Sequence, residues 1–359
     1  MKKIIKLFKV ILLTYGCYDY KEINELDIIS AIGIDYRDEK YIVTLEVLNN
    51  QIDKDSGIIT SYTKTGKDKI LATAIENAAD KLSNQLTLSH VKLMVFSENL
   101  LKEKFSNVVD LFLRNTYFRE NFYVISSLEH SPEELLNNKS DENPVASTAI
   151  AKKLENISFS SNSNIAKTFD EVIEEVLIFG IDTCFSNVTL KEQEFVIDGM
   201  VLFQDFNYKG SLNNDYAKIY NIMRGKYNRP TYSKKYDDNY FTISVNSGKI
   251  SNSIENGKIK IKGILKGKVL DNDANFDIRS LDDLKTIDND FSTILNDKIT
   301  DFIKEIQNKK SDILGISKSY YQKERIKDNN YWTKLDIDNT VSFKINKKNL
   351  IYEVENEKK

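Results

Sequence analysis

Leu284, Ile287, Phe291, Leu295, Ile299, Phe302 and Ile306 recur at steps of three or four, which lines them up along one side of a single long helix. An apolar stripe of that length has to be covered. It therefore demands a second layer, and it reads as a core face rather than as a docking surface. The helix is expected to stop near Gly315, with Asp312 and Gly315 making the stop and the turn. Residues 240–245 and 258–269 alternate apolar with polar side chains, as a half-exposed antiparallel sheet does. Residues 341–345 and 350–354 read as a closing hairpin across 346–349. The expected C-terminal unit is a long amphipathic helix packed on antiparallel strands.

Further upstream, residues 27–49 hold two apolar runs joined by a charged segment, and Ile28, Ile32, Ile34, Tyr41, Val43, Leu45 and Val47 approach period two, the pattern of a β-hairpin. Residues 51–67 are polar and predict no element. Ile70, Leu71, Ala74, Ile75, Ala78 and Leu82 recur at helical spacing; a strand is predicted at 91–96, a helix around Val108 to Leu113, and a strand at 122–126. Ser131-Pro132-Glu133-Glu134 offers a cap residue, Pro at the first helical position and a carboxylate three beyond the cap, so it opens a helix. A polar loop at 158–164 feeds a helix at 169–179, and an apolar strand carrying Gly199 follows at 195–203. The fold class is α+β in three mixed α/β units. Residues 18–190 form a β-hairpin/helix/strand domain, 195–270 a β-rich middle domain and 275–356 the helix-plus-sheet domain; 195–356 also counts as one C-terminal region.

A chain of 359 residues that is 41% apolar has material for two or three such units. Its 51 Lys and Arg stand against 54 Asp and Glu, a net charge of -3, which removes the electrostatic basis for wrapping nucleic acid. Two cysteines, Cys17 and Cys184, cannot build a disulfide framework, and two histidines, His90 and His130, leave little for a metal site. With no nucleophile elbow, phosphate loop or metal-ligand cluster, the chain is expected not to be an enzyme and to need no cofactor. His90, just before the run 91–96, is expected to be a structural hydrogen-bonding histidine. Asp19 with Glu22, and Glu133 with Glu134, are sequence neighbours, a spacing that rarely sets two carboxyls across a scissile bond. Cys184, in the apolar context of 178–185, is expected to be a buried small hydrophobe rather than a reactive thiol.

Residues 1–17, MKKIIKLFKVILLTYGC, have the shape of a secretory signal: basic Lys2 and Lys3, then an apolar stretch at 4–13 too short to span a bilayer comfortably. Gly16 and Cys17 supply the small residue and the thiol that a bacterial lipoprotein signal requires, the Cys17 thiol receiving the diacylglycerol after cleavage before it. The lipobox is degenerate, with Thr14 three places before the cysteine and bulky Tyr15 before Gly16. The other reading is an uncleaved amphipathic segment with an incidental buried cysteine. Lipidation is the expectation adopted, because acyl chains contribute about 0.8 kcal/mol per buried methylene and hold a body at a bilayer without a transmembrane helix. Glu22, Ile23 and Asn24 follow the anchor directly and read equally as a docking tether and as a solvated linker.

Four segments stand in order over nearly the whole chain: Cys17-Tyr18-Asp19-Tyr20-Lys21-Glu22-Ile23-Asn24, running into Ala31-Ile32-Gly33-Ile34-Asp35; His90-Val91-Lys92-Leu93-Met94-Val95-Phe96-Ser97-Glu98; Asp198-Gly199-Met200-Val201-Leu202-Phe203; and Lys310-Ser311-Asp312-Ile313-Leu314-Gly315 with the later Trp332. With the lipoprotein-like start they resemble the Ger(x)C family, the C subunit of spore germinant receptors. Gln204-Asp205 departs from the family, which commonly has a Lys there. The resemblance implies a lipid-anchored protein on the outer face of the spore inner membrane, acting with an A subunit and a transporter-like B subunit and doing no chemistry of its own. The expected role is scaffolding in nutrient-triggered germination, in which the anchor raises the effective concentration of the partners. A different reading is a stand-alone surface lipoprotein that binds a small ligand or cell-wall fragment, which predicts a concave apolar pocket.

Overall fold

The two apolar runs near the N-terminus pair as a hairpin because their turn permits it. β1 (Leu26–Arg37) and β2 (Lys40–Leu48) run antiparallel across Asp38 and Glu39, whose φ values of 49° and 59° match the twist of the strands they join. The computed structural model describes residues 26–49, 58–114, 121–140, 142–156, 163–325, 328 and 330–346. β3 (Ser61–Asp68) adds antiparallel to β2 in a stretch whose polar composition predicts no element. Pairing holds it: Thr65 meets Thr44 across the ladder at 3.2 Å. Gly66 lets helix α1 (Leu71–Ala79) come so close that a Cβ there would lie 2.3 Å from the Ala74 carbonyl oxygen.

The chain continues through β4 (Gln85–Thr87), β5 (Leu93–Ser97), α2 (Glu98–Glu103), α3 (Phe105–Arg114), β6 (Tyr123–Ser127), α4 (Pro132–Asn137), α5 (Ala146–Glu155), α6 (Phe169–Leu177), β7 (Cys184–Lys191), β8 (Glu194–Gln204) and β9 (Asn207–Leu212). These strands form one sheet in the order β3-β2-β1-β5-β6-β7-β8-β9, with β4 beside β1. β1, β5, β6 and β7 are parallel, which requires crossovers, and the helices supply them. Both faces are covered as a result. Met94 and Phe96 pack with Val108, Phe112 and Val172 on one side. On the other, Leu93 and Val95 meet Leu135, Leu136 and Ile150. Burial on both faces explains why residues 91–96 read as an almost unbroken apolar run. Ser131 opens α4 as expected: its hydroxyl accepts the Glu134 N–H at 3.1 Å, and Glu134 Oε2 accepts the Ser131 N–H at 2.8 Å.

After α7 (Asn214–Met223), a second sheet of β10 (Thr231–Tyr236), β11 (Asn239–Glu255), β12 (Lys258–Asn272) and β13 (Asp336–Ile345) forms in that order. The long stripe is the buried face of α8 (Leu281–Lys309), whose Phe291, Leu295 and Phe302 share a core with Phe241, Ile261 and Phe343. α9 (Ile316–Glu324) and a 3-10 turn at Tyr331–Lys334, with Trp332 buried, complete this layer. β13 runs parallel to β12, whereas the expected packing partner of the helix was antiparallel throughout. The reason is the connection: α8 is itself the crossover, and a helix-length link returns the chain to the end from which it started. Residues 350–354, the expected second arm of the closing hairpin, lie outside the described residues.

β8 is the wall between the two cores. Its alternation sends Met200 and Leu202 under the C-terminal layer and Val201 and Phe203 into the nine-stranded sheet's core. The β7–β8 hairpin thus carries the first sheet across the boundary expected between residues 190 and 195. Strands from the segments expected as middle and C-terminal units share one core.

Candidate functional site

Charged side chains are buried where these two cores meet. Lys167, just ahead of α6, pairs with Glu175 on that helix, their side chains 7% and 14% exposed. Thr183 Oγ1 donates to Glu175 Oε2 at 2.8 Å, and Arg224 Nη2 lies 3.7 Å from Glu175 Oε1. The Lys167 ammonium also stands 5.7 Å from the centre of the Tyr220 ring and 3.9 Å from Cys184 Sγ. Burial works against the charged amine, but Cys184 and Tyr220, once they ionise in alkali, together with the Glu175 carboxylate outweigh it and hold the lysine above its ordinary range. Burial pushes the Cys184 thiol and the Tyr220 hydroxyl up, so both stay protonated at neutral pH.

Above this cluster opens a cleft of about 870 Å³ whose walls include Glu171, Glu174, Arg224, Tyr227 and Lys318. Walls of both signs suit ion pairing and hydrogen bonding with a polar occupant. The thiol beneath is fully buried.

Beside the cleft, the end of α8 is tied to the first sheet. Lys310 turns the chain with φ of 55°, Ser311 Oγ donates to the Phe203 carbonyl, and Asp312 accepts the N–H groups of Ile316 and Ser317 at 2.8 and 2.7 Å, capping α9. Asp182 accepts the N–H groups of Asp312 and Asp205 at 2.7 and 3.0 Å. The stop of α8 comes earlier than expected, at Lys310, and Asp312 and Gly315, the latter with φ of 67°, instead shape the turn that opens α9.

Burial pushes both carboxyls, Asp182 and Asp312, up to about 6. Between the unfolded value near 4 and that pH, the native state retains protons that the unfolded chain has released. The contribution of these groups to stability is therefore present in acid and lost as pH rises through the window. Replacing Asp312 with Asn is expected to remove its share of this slope. Urea denaturation across pH checks this: the stability of the parent relative to the variant should fall between about pH 4 and 6 and then level off.

The other candidates are structural or lie elsewhere. Cys17, Glu22, Ile23, Asn24 and Asp19 lie outside the described residues. His90 is exposed on the turn before β5, and no side-chain hydrogen bond to it is found among the described residues, which corrects the expectation of a bonded histidine. Glu134 is the cap partner of Ser131, and Glu133 Oε1 accepts from Thr65 Oγ1 at 2.9 Å. Cys184 is buried as expected, though beside a lysine rather than in purely apolar company. Lys167, Glu175 and Arg224 carry no motif, since their partnership is made only by folding. Among the described residues, no three His, Cys, Asp or Glu side chains converge to hold a metal ion, and no helix is long and apolar enough to cross a membrane.

Comparison with known proteins places this architecture. The family model described as the spore germination protein N-terminal domain matches residues 19–190, and that described as spore germination B3/GerAC like, C-terminal, matches residues 198–349. Spore germination protein KC of Bacillus subtilis is 24% identical over 365 residues, covering 90% of this chain and 89% of that protein. Spore germination protein A3 of the same organism is 23% identical over 267 residues, covering 72% and 70%. The crystal structure of the GerBC protein has the same fold, with a TM-score of 0.50 at 18% identity, covering 88% of this chain and 96% of that one. The two matched models meet at the β7–β8 hairpin and together span nearly all of the described fold, so this chain belongs to the Ger(x)C family of spore germination proteins.

Proposed function

We propose that this chain is the lipid-anchored C subunit of a spore germinant receptor, which acts without catalysis by holding the A and B subunits together at the outer face of the spore inner membrane. The observation that carries this reading is the two-part family match running in order from residue 19 to residue 349, beginning two residues after Cys17. The curated relatives over most of its length are named as spore germination proteins. The basic and apolar start ending in Gly16-Cys17 supports the anchor. The sharing of β8 by both cores supports a scaffold, because a body of this kind transmits position from one partner-facing surface to another.

Replacing Cys17 with Ala is expected to abolish acylation and to release the chain from the membrane fraction of spores when the membranes are washed at high salt, which leaves the acylated parent in place. Mass spectrometry of the mature N-terminus in the parent checks the same point: a diacylglyceryl-modified Cys17 supports the reading, and an intact Met1 with an unmodified thiol contradicts it. The cleft favours a second reading, a stand-alone lipoprotein that binds a small ligand, since its walls mix charged side chains with apolar ones such as Ile178, Met223 and Leu314. Calorimetry with amino acids and wall fragments separates the two, since saturable binding by the isolated chain supports the second.

A further inference from the structure

The outer face of the four-stranded sheet carries a charge pattern that the fold itself does not use. From Lys258 to Leu270, β12 reads Lys-Ile-Lys-Ile-Lys-Gly-Ile-Leu-Lys-Gly-Lys-Val-Leu. Its alternation sends Ile259, Ile261 and Leu265 into the core with α8, and leaves Lys258, Lys262, Lys266 and Lys268 exposed with Lys260 partly so. Successive outward positions are about 7 Å apart along a strand. That is shorter than the Debye length of about 8 Å at physiological salt, so the charges reinforce one another.

The neighbouring strands do not neutralise the middle of this stripe. Lys262, Ile264 and Lys266 have Thr340, Ser342 and Lys344 beside them on β13, and Ser251, Lys249 and Ser247 beside them on β11. Acidic groups lie at the two ends of the strand: at its start Glu255 is 3.7 Å from Lys260 and Asp336 and Asp338 stand opposite Lys258 and Lys260, and at its far end exposed Asp271 stands opposite Thr242. Ile264 and Leu270, 47% and 56% exposed, occupy the same outward positions.

Lysines often guard the edge strands of sheets against unwanted pairing, but β12 is bonded on both sides and has no edge to guard. Like charges in neighbouring positions are unfavourable for the folded sheet. In a chain whose net charge is -3, such a concentration calls for a counter-charge from outside.

We propose that this face docks on an anionic phospholipid bilayer and so sets the orientation of the body at the membrane. The proposal rests on the membrane reading above for the place where such a surface is met. Chemistry favours lipid over nucleic acid or an acidic protein. Residues 258–270 contain no Arg and no aromatic residue, so they offer neither a guanidinium fork nor a stacking platform. Flexible point charges over an open face suit a diffuse anionic surface, and the exposed Ile264 and Leu270 supply shallow apolar contact.

The test uses the full-length chain carrying Cys17→Ala, so that no acyl chain contributes, in co-sedimentation with phosphatidylglycerol or phosphatidylcholine vesicles over a range of salt. The expected result is a preference for phosphatidylglycerol that weakens with salt. Adding Lys262→Gln, Lys266→Gln and Lys268→Gln should weaken that binding about a hundredfold. Adding Lys40→Gln, Lys102→Gln and Lys285→Gln, which removes equal charge elsewhere, should leave it within about twofold. Arg at the three face positions should retain binding, which separates charge from any loss of folding. The N-terminal basic segment is common to all variants, so the contrast between the two Gln sets isolates the face. Equal binding by those sets, or no preference for phosphatidylglycerol, overturns the proposal and leaves the acyl anchor standing; an unacylated Cys17 in spores does the reverse.

Discussion

Replacing Lys167 with Met is expected to destabilise the protein by about 3 kcal/mol, near the lower end of the range for breaking a buried ion pair. The side chain that departs is 7% exposed, and the one left behind, Glu175, is 14% exposed at the floor of the cleft, so the unpaired carboxylate keeps little contact with water. Thr183 still donates to the carboxylate, and Arg224, already 3.7 Å from its other oxygen, is free to close in, which keeps the loss from being larger. Removing both charges, with Lys167→Met and Glu175→Gln together, should recover a large part of the stability, because no charge is then left unpaired. Chemical denaturation of the single and double variants measures this. Equal losses in Lys167→Met and the double variant would mean that packing rather than pairing holds the seam.

Gly199→Ala should cost at least as much, about 3 kcal/mol or above, through strain and overlap acting together. Gly199 has φ of 82°, where a side chain is unfavourable by roughly 1–2 kcal/mol. A Cβ there would also lie 2.0 Å from the Leu212 carbonyl oxygen, and backbone on the paired strand cannot swing aside as a side chain can. The surrounding contacts fix the position further: Gly199 N–H donates to Asn214 Oδ1 at 2.8 Å, and Asn214 in turn donates to Asp198 Oδ1 at 3.2 Å. Because β8 walls both cores, the strain should reach both layers, and a single cooperative transition should move to lower temperature. A variant that melts with the parent would refute this account of the Asp198-Gly199 motif.

What could be read from the sequence was whatever the chain specifies locally. The hairpin at β1–β2, the Ser131 cap and the stripe of α8 each follow from residues within a few turns of one another. α5 was invisible for the opposite reason. Its N-terminal N–H groups at Ala146 and Ser147 are satisfied at 2.8 and 3.1 Å by Glu46, a buried carboxylate from β2 that also accepts from Ser30 and Ser61. No cap residue stands at Val145 to announce the helix. β3 was hidden likewise, since its polar side chains are held by pairing with β2 and by the approach of α1 to Gly66. α7 does carry a local signal, Asn213, whose side chain accepts the N–H groups of Asp215 and Tyr216. In the cleft, Lys167 and Glu175 become partners only when α6 and β7 are packed. The alternation of β12 was plain, but its basic side acquired meaning only once the sheet's buried face was known.

A folded body tethered at the bilayer is proposed to hold receptor chains together. Affinity purification of the tagged chain from detergent-solubilised spore membranes addresses it directly. The account predicts that two integral membrane subunits co-elute with it in constant proportion, and that Cys17→Ala depletes all three from the preparation together. Recovery of the chain by itself from intact spore membranes, with no membrane subunit in the eluate, would contradict it.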